Sequence, residues 1–461
     1  MKDNVTEYLD KRADLETRPL VAGTLEGIEQ VVVIPVLAER NCVFKALASL
    51  GRNPQPDLDK TLVICVVNNR KEPYAARAEI EDNKETLTLL ERLVQGGTAS
   101  VPAELEPASI RLGYIDAASP GNELPRKGGV GLARKIGLDW GVAVLRDAPS
   151  EPPRLLFSLD ADTLAAPNYL GAVRTFFAEQ SAWAAVVAYA HRLDGPGDEA
   201  AAIQCYELFL RYHVMGLSYA RSPYAFPSIG STMVCRVEAY AAVAGMNTRQ
   251  GGEDFYFLQQ LAKTGGVSRI FSTTVFPSSR PSRRAPFGTG MRVQRFLDGA
   301  HDEYRLYDPR SYRILKEWFA LVAASLDRDA SFLRAGAQAI APQLVDFLDI
   351  NRFSSVWPRL RRNSSGPDAL HAQFHRWFDG FKTLKLLHFL RDNGFPQQDM
   401  FPAIKQLLAM AESPKPPVNW RTIREDRAAQ KALLEHLRWY AERHPPPWPV
   451  FEPATRGKKH R

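Results

Sequence analysis

The chain has 461 residues, 45% of them hydrophobic and 24% charged, which at ~150 residues per domain allows two or three domains. That composition excludes a chain disordered throughout and provides apolar material for a real core. The net charge of +7 suits an anionic partner, whether nucleotide, lipid surface or nucleic acid, and selects among none of them.

Four cysteines, Cys42, Cys65, Cys205 and Cys235, lie far apart and form no C-x-x-C pair. A zinc site or disulfide framework is therefore not expected, each thiol reads as a small buried hydrophobe, and a reducing, cytoplasmic compartment fits. The first thirty residues carry charges and no apolar h-region, so no signal peptide is expected. The sequence has no run of about 18 apolar residues, so no transmembrane helix is expected. Peripheral contact with the inner face of a membrane stays compatible with the sequence.

In chain order, VVVIPVLAE within Ile28 to Glu39 predicts a buried, parallel strand. Asn41 to Leu50 follows as a helix with Val43, Ala46, Leu47 and Leu50 on one face. Thr61 to Val67 is a second buried strand, stopped by Asn68 and Asn69, and Ile110 to Ile115 a third. Gly128 to Leu145 reads as a helix, then Arg154 to Leu159 as a strand ending in Asp160-Ala161-Asp162. Pro167 opens a helix, Ala184 to Tyr189 is a strand, and Ala201 to Tyr219 a long amphipathic helix. Ser231 to Cys235 is a short strand, Glu238 to Ala244 a short helix, and Gly251-Gly252-Glu253-Asp254 precedes a helix reaching Ala262.

This alternation predicts an α/β domain with a mostly parallel sheet. After about Asp302 the strand-like runs stop and helical patterns continue to about Arg443. Pro445 to Pro453 is proline-rich and reads as extended, with a basic end at Arg456 to Arg461.

The sharpest chemical feature is Asp160-Ala161-Asp162 directly after a buried strand. Carboxylates at i and i+2 past a strand end converge on one divalent cation, and Mg²⁺ or Mn²⁺ shares such ligands with substrate phosphates. The bland alternative is a solvated acidic turn. Glu253-Asp254 at a helix start serves the helix dipole at least; downstream of the first pair, it also offers a general base. The stretch Ser278 to Arg284, with Arg280, Arg283 and Arg284, then Gly288 and Gly290, suits a phosphate-binding lid, the alternative being a basic surface loop. Lys127 and Arg134 are placed to face a diphosphate, a solvated helix start being the alternative. His191, His213 and His301 stand alone and read as ordinary surface or core histidines.

Taken in order, VVVIPVLAE, LVICVVNN, GLARKIGLDWG, LLFSLDADT and GGEDFYFLQQLAKTG resemble the family 2 glycosyltransferases of the GT-A fold. The resemblance covers Glu26 to Arg295. It implies a Rossmann-like α/β catalytic domain, here placed at 26–300, ahead of an all-α C-terminal domain at 301–445 and a tail at 446–461. It implies a nucleotide-sugar donor contacted by Glu39 and Asp160, and Asn69, Lys127, Arg134, Arg283 and Arg284 are the further donor-binding candidates. It implies Mn²⁺ or Mg²⁺ on Asp162 and Asp160, with Asp254 as base and Glu253 orienting the acceptor. The implied reaction is inverting, with no nucleic-acid partner and an acceptor the sequence does not name.

Three departures stand out. Asn68 and Asn69 replace the aspartates frequent after the second strand, and Ala244-Gly245-Met246 replaces G-G-F before the E-D pair. The Q-x-x-R-W motif of processive synthases is absent, so one sugar per event is expected. A nucleotidyltransferase is the enzymatic rival, disfavoured because Ala38-Glu39-Arg40-Asn41 lacks the glycine- and lysine-rich loop it would carry. An inactive sugar-binding or scaffold protein is the non-enzymatic rival.

Overall fold

The computed structural model describes residues 3–96, 110–193, 195, 197–282 and 288–444. Arg283, Arg284, and the tail with Pro445 to Pro453 lie outside the described residues.

The chain forms two compact units. The first is built from Met1–Arg192 and Ser228–Met291, the second from Leu193–Pro227 and Arg292–Thr455. The boundary expected at residue 300 therefore moves to 291/292, and one long helix changes sides. Gly197–Tyr219 is buried around most of its circumference rather than along one stripe. It packs with the C-terminal helices: Arg438 Nε donates to Glu207 Oε1 at 2.8 Å, and Tyr212 Oη approaches the Tyr307 carbonyl oxygen at 2.5 Å.

In the first unit, one sheet holds nine strands: β1 (Leu20–Ala22), β2 (Gln30–Val36), β3 (Thr61–Asn68), β4 (Arg111–Ala117), β5 (Leu155–Ser158), β6 (Leu164–Ala165), β7 (Ala184–Tyr189), β8 (Met233–Arg236) and β9 (Ser268–Phe276). Their order is β1-β4-β3-β2-β5-β8-β7-β9-β6. Strands β2, β3, β4, β5, β7 and β9 run one way; β1, β6 and β8 oppose them. The sheet is thus mostly parallel in direction, with antiparallel pairings around β8.

Every residue of β2 and β3 is buried, as β-branched strands covered on both faces require. The helix Val130–Leu145 covers them closely because Gly137 and Gly141 face the sheet. A Cβ at Gly137 would meet Val33 Cγ1 and, at 2.8 Å, Val66 Cγ2; one at Gly141 would meet Leu156 Cδ2 at 2.7 Å. The elements that escaped the sequence reading include the helices Asn4–Arg12 and Arg77–Val94, and β9.

The second unit is mainly helical, with helices at Pro309–Ala323, Ala330–Ile340, Pro342–Ile350, Phe353–Arg362, Pro367–Trp377, Gly380–Asp392, Met400–Met410 and Arg427–Arg443 beside Gly197–Tyr219. It is not purely α: β10 (Arg305–Leu306) pairs antiparallel with β11 (Gln398–Asp399). Its core centres on Trp318, whose ring lies 5.4 Å from Phe353 and 5.9 Å from Phe374 in edge-on contacts. No helix among the described residues is long and apolar enough to cross a membrane. Cys65, Cys205 and Cys235 are buried free thiols and Cys42 is half-buried.

Candidate active site

Four segments build the site within the first unit, three of them past strand ends and one at a helix start. β2 ends at Val36, and Ala38 turns the chain with φ +50°, so that Glu39 caps the helix Arg40–Leu50. β5 ends at Ser158, and Asp160-Ala161-Asp162 form the following turn, closed by the Thr163 N–H donating to the Asp160 carbonyl at 3.0 Å. The E-D pair opens the helix Glu253–Gly265 after Gly252, whose φ of +67° requires a residue without Cβ strain. The segment after β9 brings in Arg280.

Arg134 stands at the centre. It is buried, and its guanidinium donates to three groups: Nη2 to Asp160 Oδ1, Nη1 to Glu253 Oε1, and Nε to Ser158 Oγ at 3.0 Å. One planar fork thus joins the D-x-D turn to the E-D helix, the geometry a guanidinium favours with carboxylates. Gly230 makes room for it, since a Cβ there would run into the guanidinium. The second Asp160 oxygen accepts from Ser231 Oγ, which also lies 3.0 Å from Thr163 Oγ1. Where the sequence suggested a diphosphate partner for Arg134, these three bonds go to protein groups, two carboxylates and a serine hydroxyl.

Asp254 is half-buried, and the Phe255 N–H donates to its Oδ1 at 2.7 Å. Burial and then the neighbouring Glu253 carboxylate push its pKa up, while Arg134 pulls it down, leaving it at about 7. Asp162 is likewise pushed up to about 7, by burial, then by Asp160 and Glu39, against Arg280 and Arg192. The Arg280 guanidinium pairs with Glu39 and places Nη2 3.8 Å from Asp162 Oδ2. Arg192 Nη2 reaches the Asp162 carbonyl at 3.5 Å.

Asn69 does not serve as expected. Its Nδ2 donates to the Ala118 carbonyl at 3.2 Å and its Oδ1 accepts from Asn83 Nδ2 at 2.9 Å. Asn68 Nδ2 donates to the Val36 carbonyl at 3.0 Å, and the Ala38 N–H to Asn83 Oδ1 at 2.9 Å. With both asparagines buried, these amides tie together the ends of β2, β3 and β4. Lys127 is exposed on the turn before the helix Val130–Leu145. A cavity of about 540 Å³ lies at the end of β3, lined by Arg70, Tyr74, Ala76, Glu79, Arg280, Pro281 and Ser282.

The acids of the D-x-D turn bear on whether Mg²⁺ or Mn²⁺ fits here. Among the described residues, no three or more His, Cys, Asp or Glu gather closely enough to form a full protein cage. These ions use one or two carboxylates and complete their shell with phosphate oxygens and water. Asp160 and Asp162 supply that hard-oxygen pair; Asp162 has its pKa raised first by burial and then by the Asp160 and Glu39 carboxylates, the second of which a cation would offset. The residues therefore fit.

Ser231, Arg192 and the central role of Arg134 were missed in sequence. A Gly-Ser-Thr turn at 230–232 before β8 was the only local signal for Ser231.

No protein-family model matches the chain, and no curated protein does. Among solved structures, it is similar to S. aureus TarS residues 1–349 in complex with UDP-GlcNAc, at 13% identity and a TM-score of 0.35, covering 90% of this chain and 92% of that one. It is also similar to the mannosyltransferase PcManGT from Pyrobaculum calidifontis in complex with GDP-Man and Mn²⁺, at 15% identity and a TM-score of 0.33, covering 95% and 92%.

Proposed function

We propose that this chain is a glycosyltransferase that moves one sugar from a nucleoside-diphosphate donor to an acceptor hydroxyl, with inversion and with Mn²⁺ or Mg²⁺. The observation that carries the reading is the Arg134 fork. By bonding Asp160 and Glu253 together, it draws the two acidic motifs to one place, and the sequence resemblance assigns them to donor and acceptor.

Asp254 accepts the proton of the acceptor hydroxyl. A carboxyl poised near neutrality is matched to that task. The acceptor oxygen then bonds to the anomeric carbon as the bond to the diphosphate breaks, and the electron pair leaves with the nucleoside diphosphate. Glu253, fixed by Arg134, holds the first turn of that helix and orients the acceptor. Asp160, fixed by Arg134 and Ser231, contacts the donor ribose or diphosphate, and Glu39 lies near the nucleoside. Asp162 and Asp160 would hold the divalent cation, which when bound would supply Lewis-acid stabilisation of the leaving group. The cavity beside Arg280 accommodates the nucleoside, with Tyr74 as an aromatic wall. Arg283, Arg284 and Lys127 add positive charge for the diphosphate.

The test is nucleoside-diphosphate release from a panel of UDP- and GDP-sugars, with and without Mn²⁺, together with calorimetric donor binding. Asp254→Asn should abolish turnover and leave donor binding nearly intact, whereas Asp162→Ala should weaken donor binding itself. Near-normal turnover by Asp254→Asn would remove the base assignment, and failure of every donor to bind would remove the enzyme.

A further inference from the structure

Arg280 has two neighbours of quite different kinds. One Nη2 nitrogen pairs with Glu39, which follows β2, and lies 3.8 Å from Asp162, which follows β5. The same residue forms part of the wall of the cavity at the end of β3. Its backbone N–H donates to Ser278 Oγ at 3.2 Å, whereas its side chain is 38% exposed. The guanidinium is held by its pair with Glu39 and remains partly exposed beside the cavity, where a ligand can reach it.

A guanidinium and a divalent cation compete for the same carboxylate charge. While Arg280 neutralises Glu39 and faces Asp162, the negative potential that would attract a cation is partly cancelled. A diphosphate offers the guanidinium a better partner, since its oxygens accept a planar fork in pairs. We propose that Arg280 is the resident counter-ion of Glu39 and Asp162, holding divalent-cation affinity low until a diphosphate in the neighbouring cavity draws the guanidinium away. Metal and nucleotide then bind with positive coupling, and by reciprocity each tightens the other. A nucleoside monophosphate, with fewer oxygens for the fork, releases Arg280 less effectively. The diphosphate arm rests on the glycosyltransferase reading; the counter-ion role rests on the ion pairs alone.

The experiment is Mn²⁺ binding to the full chain, followed by loss of the free-ion paramagnetic resonance signal, without nucleotide and with UDP, GDP or UMP. The variants are Arg280→Gln, which removes the charge, and Arg280→Lys, which retains it, each first shown to be folded by circular dichroism. Without nucleotide, Arg280→Gln should bind Mn²⁺ about tenfold more tightly than wild type, the equivalent of one pKa unit of released electrostatics, and Arg280→Lys should resemble wild type. A diphosphate should tighten Mn²⁺ binding strongly in wild type and weakly in Arg280→Gln, and UMP should do less in both. Equal nucleotide-free affinities for wild type and Arg280→Gln would overturn the proposal. So would equal tightening of the two by the diphosphate that binds. If neither UDP nor GDP binds the wild-type chain, the glycosyltransferase reading falls instead, and the nucleotide-free comparison still decides the role of Arg280.

Discussion

Replacing Arg134 with methionine removes the charge while keeping much of the side-chain volume. Arg134 is 3% exposed and Glu253 is 4% exposed, so the substitution strands a carboxylate away from water. Breaking a buried pair in this way costs about 3–5 kcal/mol. Asp160 adds little, because its side chain is 34% exposed and water screens it. For a unit of this size, where 1 kcal/mol shifts Tm by roughly 2–4 °C, the melting temperature should fall by roughly 10 °C. Urea or thermal denaturation measures the loss, and a double-mutant cycle identifies its origin. Adding Glu253→Gln to Arg134→Met removes the stranded charge and should recover part of the stability. Arg134→Lys should fall between the two, since an ammonium keeps the charge and loses the fork. A loss below about 1 kcal/mol for Arg134→Met, the range of an exposed pair, would refute the bridge. A double variant no more stable than the single one would also refute it.

Other consequences are open to direct measurement. Because the Asp254 pKa is raised to about 7 and the base must be ionised, kcat/KM should decline as pH falls through about 7. Arg134→Met, which deprives Asp254 of a lowering neighbour, should move that limb to higher pH; a pH–rate profile shows either result. Gly137→Ala should destabilise the first unit by about 1–3 kcal/mol, the usual cost of overpacking, because the new methyl meets Val33 and Val66; urea denaturation tests it. His375 is buried, its Nδ1 has no hydrogen-bond partner, and burial followed by His371 depresses its pKa from 6.5 to about 3. Its contribution to stability is complete above pH 6.5 and is lost as pH falls toward 3, roughly 1.4 kcal/mol per pH unit. His375→Leu should flatten that part of the stability–pH curve while costing little at pH 7.

Strands β2, β3, β5 and β7 were legible because full or nearly full burial selects largely apolar runs, β-branched in β2 and β3 and built mainly of Leu, Phe, Ala and Val in β5 and β7. β9 was not, because its residues alternate between buried and half-buried and include Arg269, Ser272, Thr273 and Thr274. The helix Arg77–Val94 hid for a related reason: two of its three buried residues, Asn83 and Thr86, are polar, so no apolar stripe marks it. Local pattern sets neither the direction of β8 nor the partner of a charged side chain. That is why both acidic motifs were readable while the bond between them through Arg134 was not. It is also why Asn69 looked like a donor contact: turn asparagines carry the same letters whether they face a ligand or tie strand ends together. The domain boundary failed at Gly197–Tyr219, since a helix passing through the middle of a core keeps too few polar positions to show whose core it joins.

That excursion of the chain has a consequence during synthesis. Gly197–Tyr219 leaves the ribosome well before its partner helix Arg427–Arg443, and at about 5–20 residues per second the wait amounts to roughly tens of seconds. Within that interval β8, the helix bearing Glu253 and β9 emerge and can complete the sheet of the first unit, while Glu207 still awaits Arg438. Nascent chains of this protein therefore present chaperones with an internal target, bracketed by finished structure, rather than a loose end.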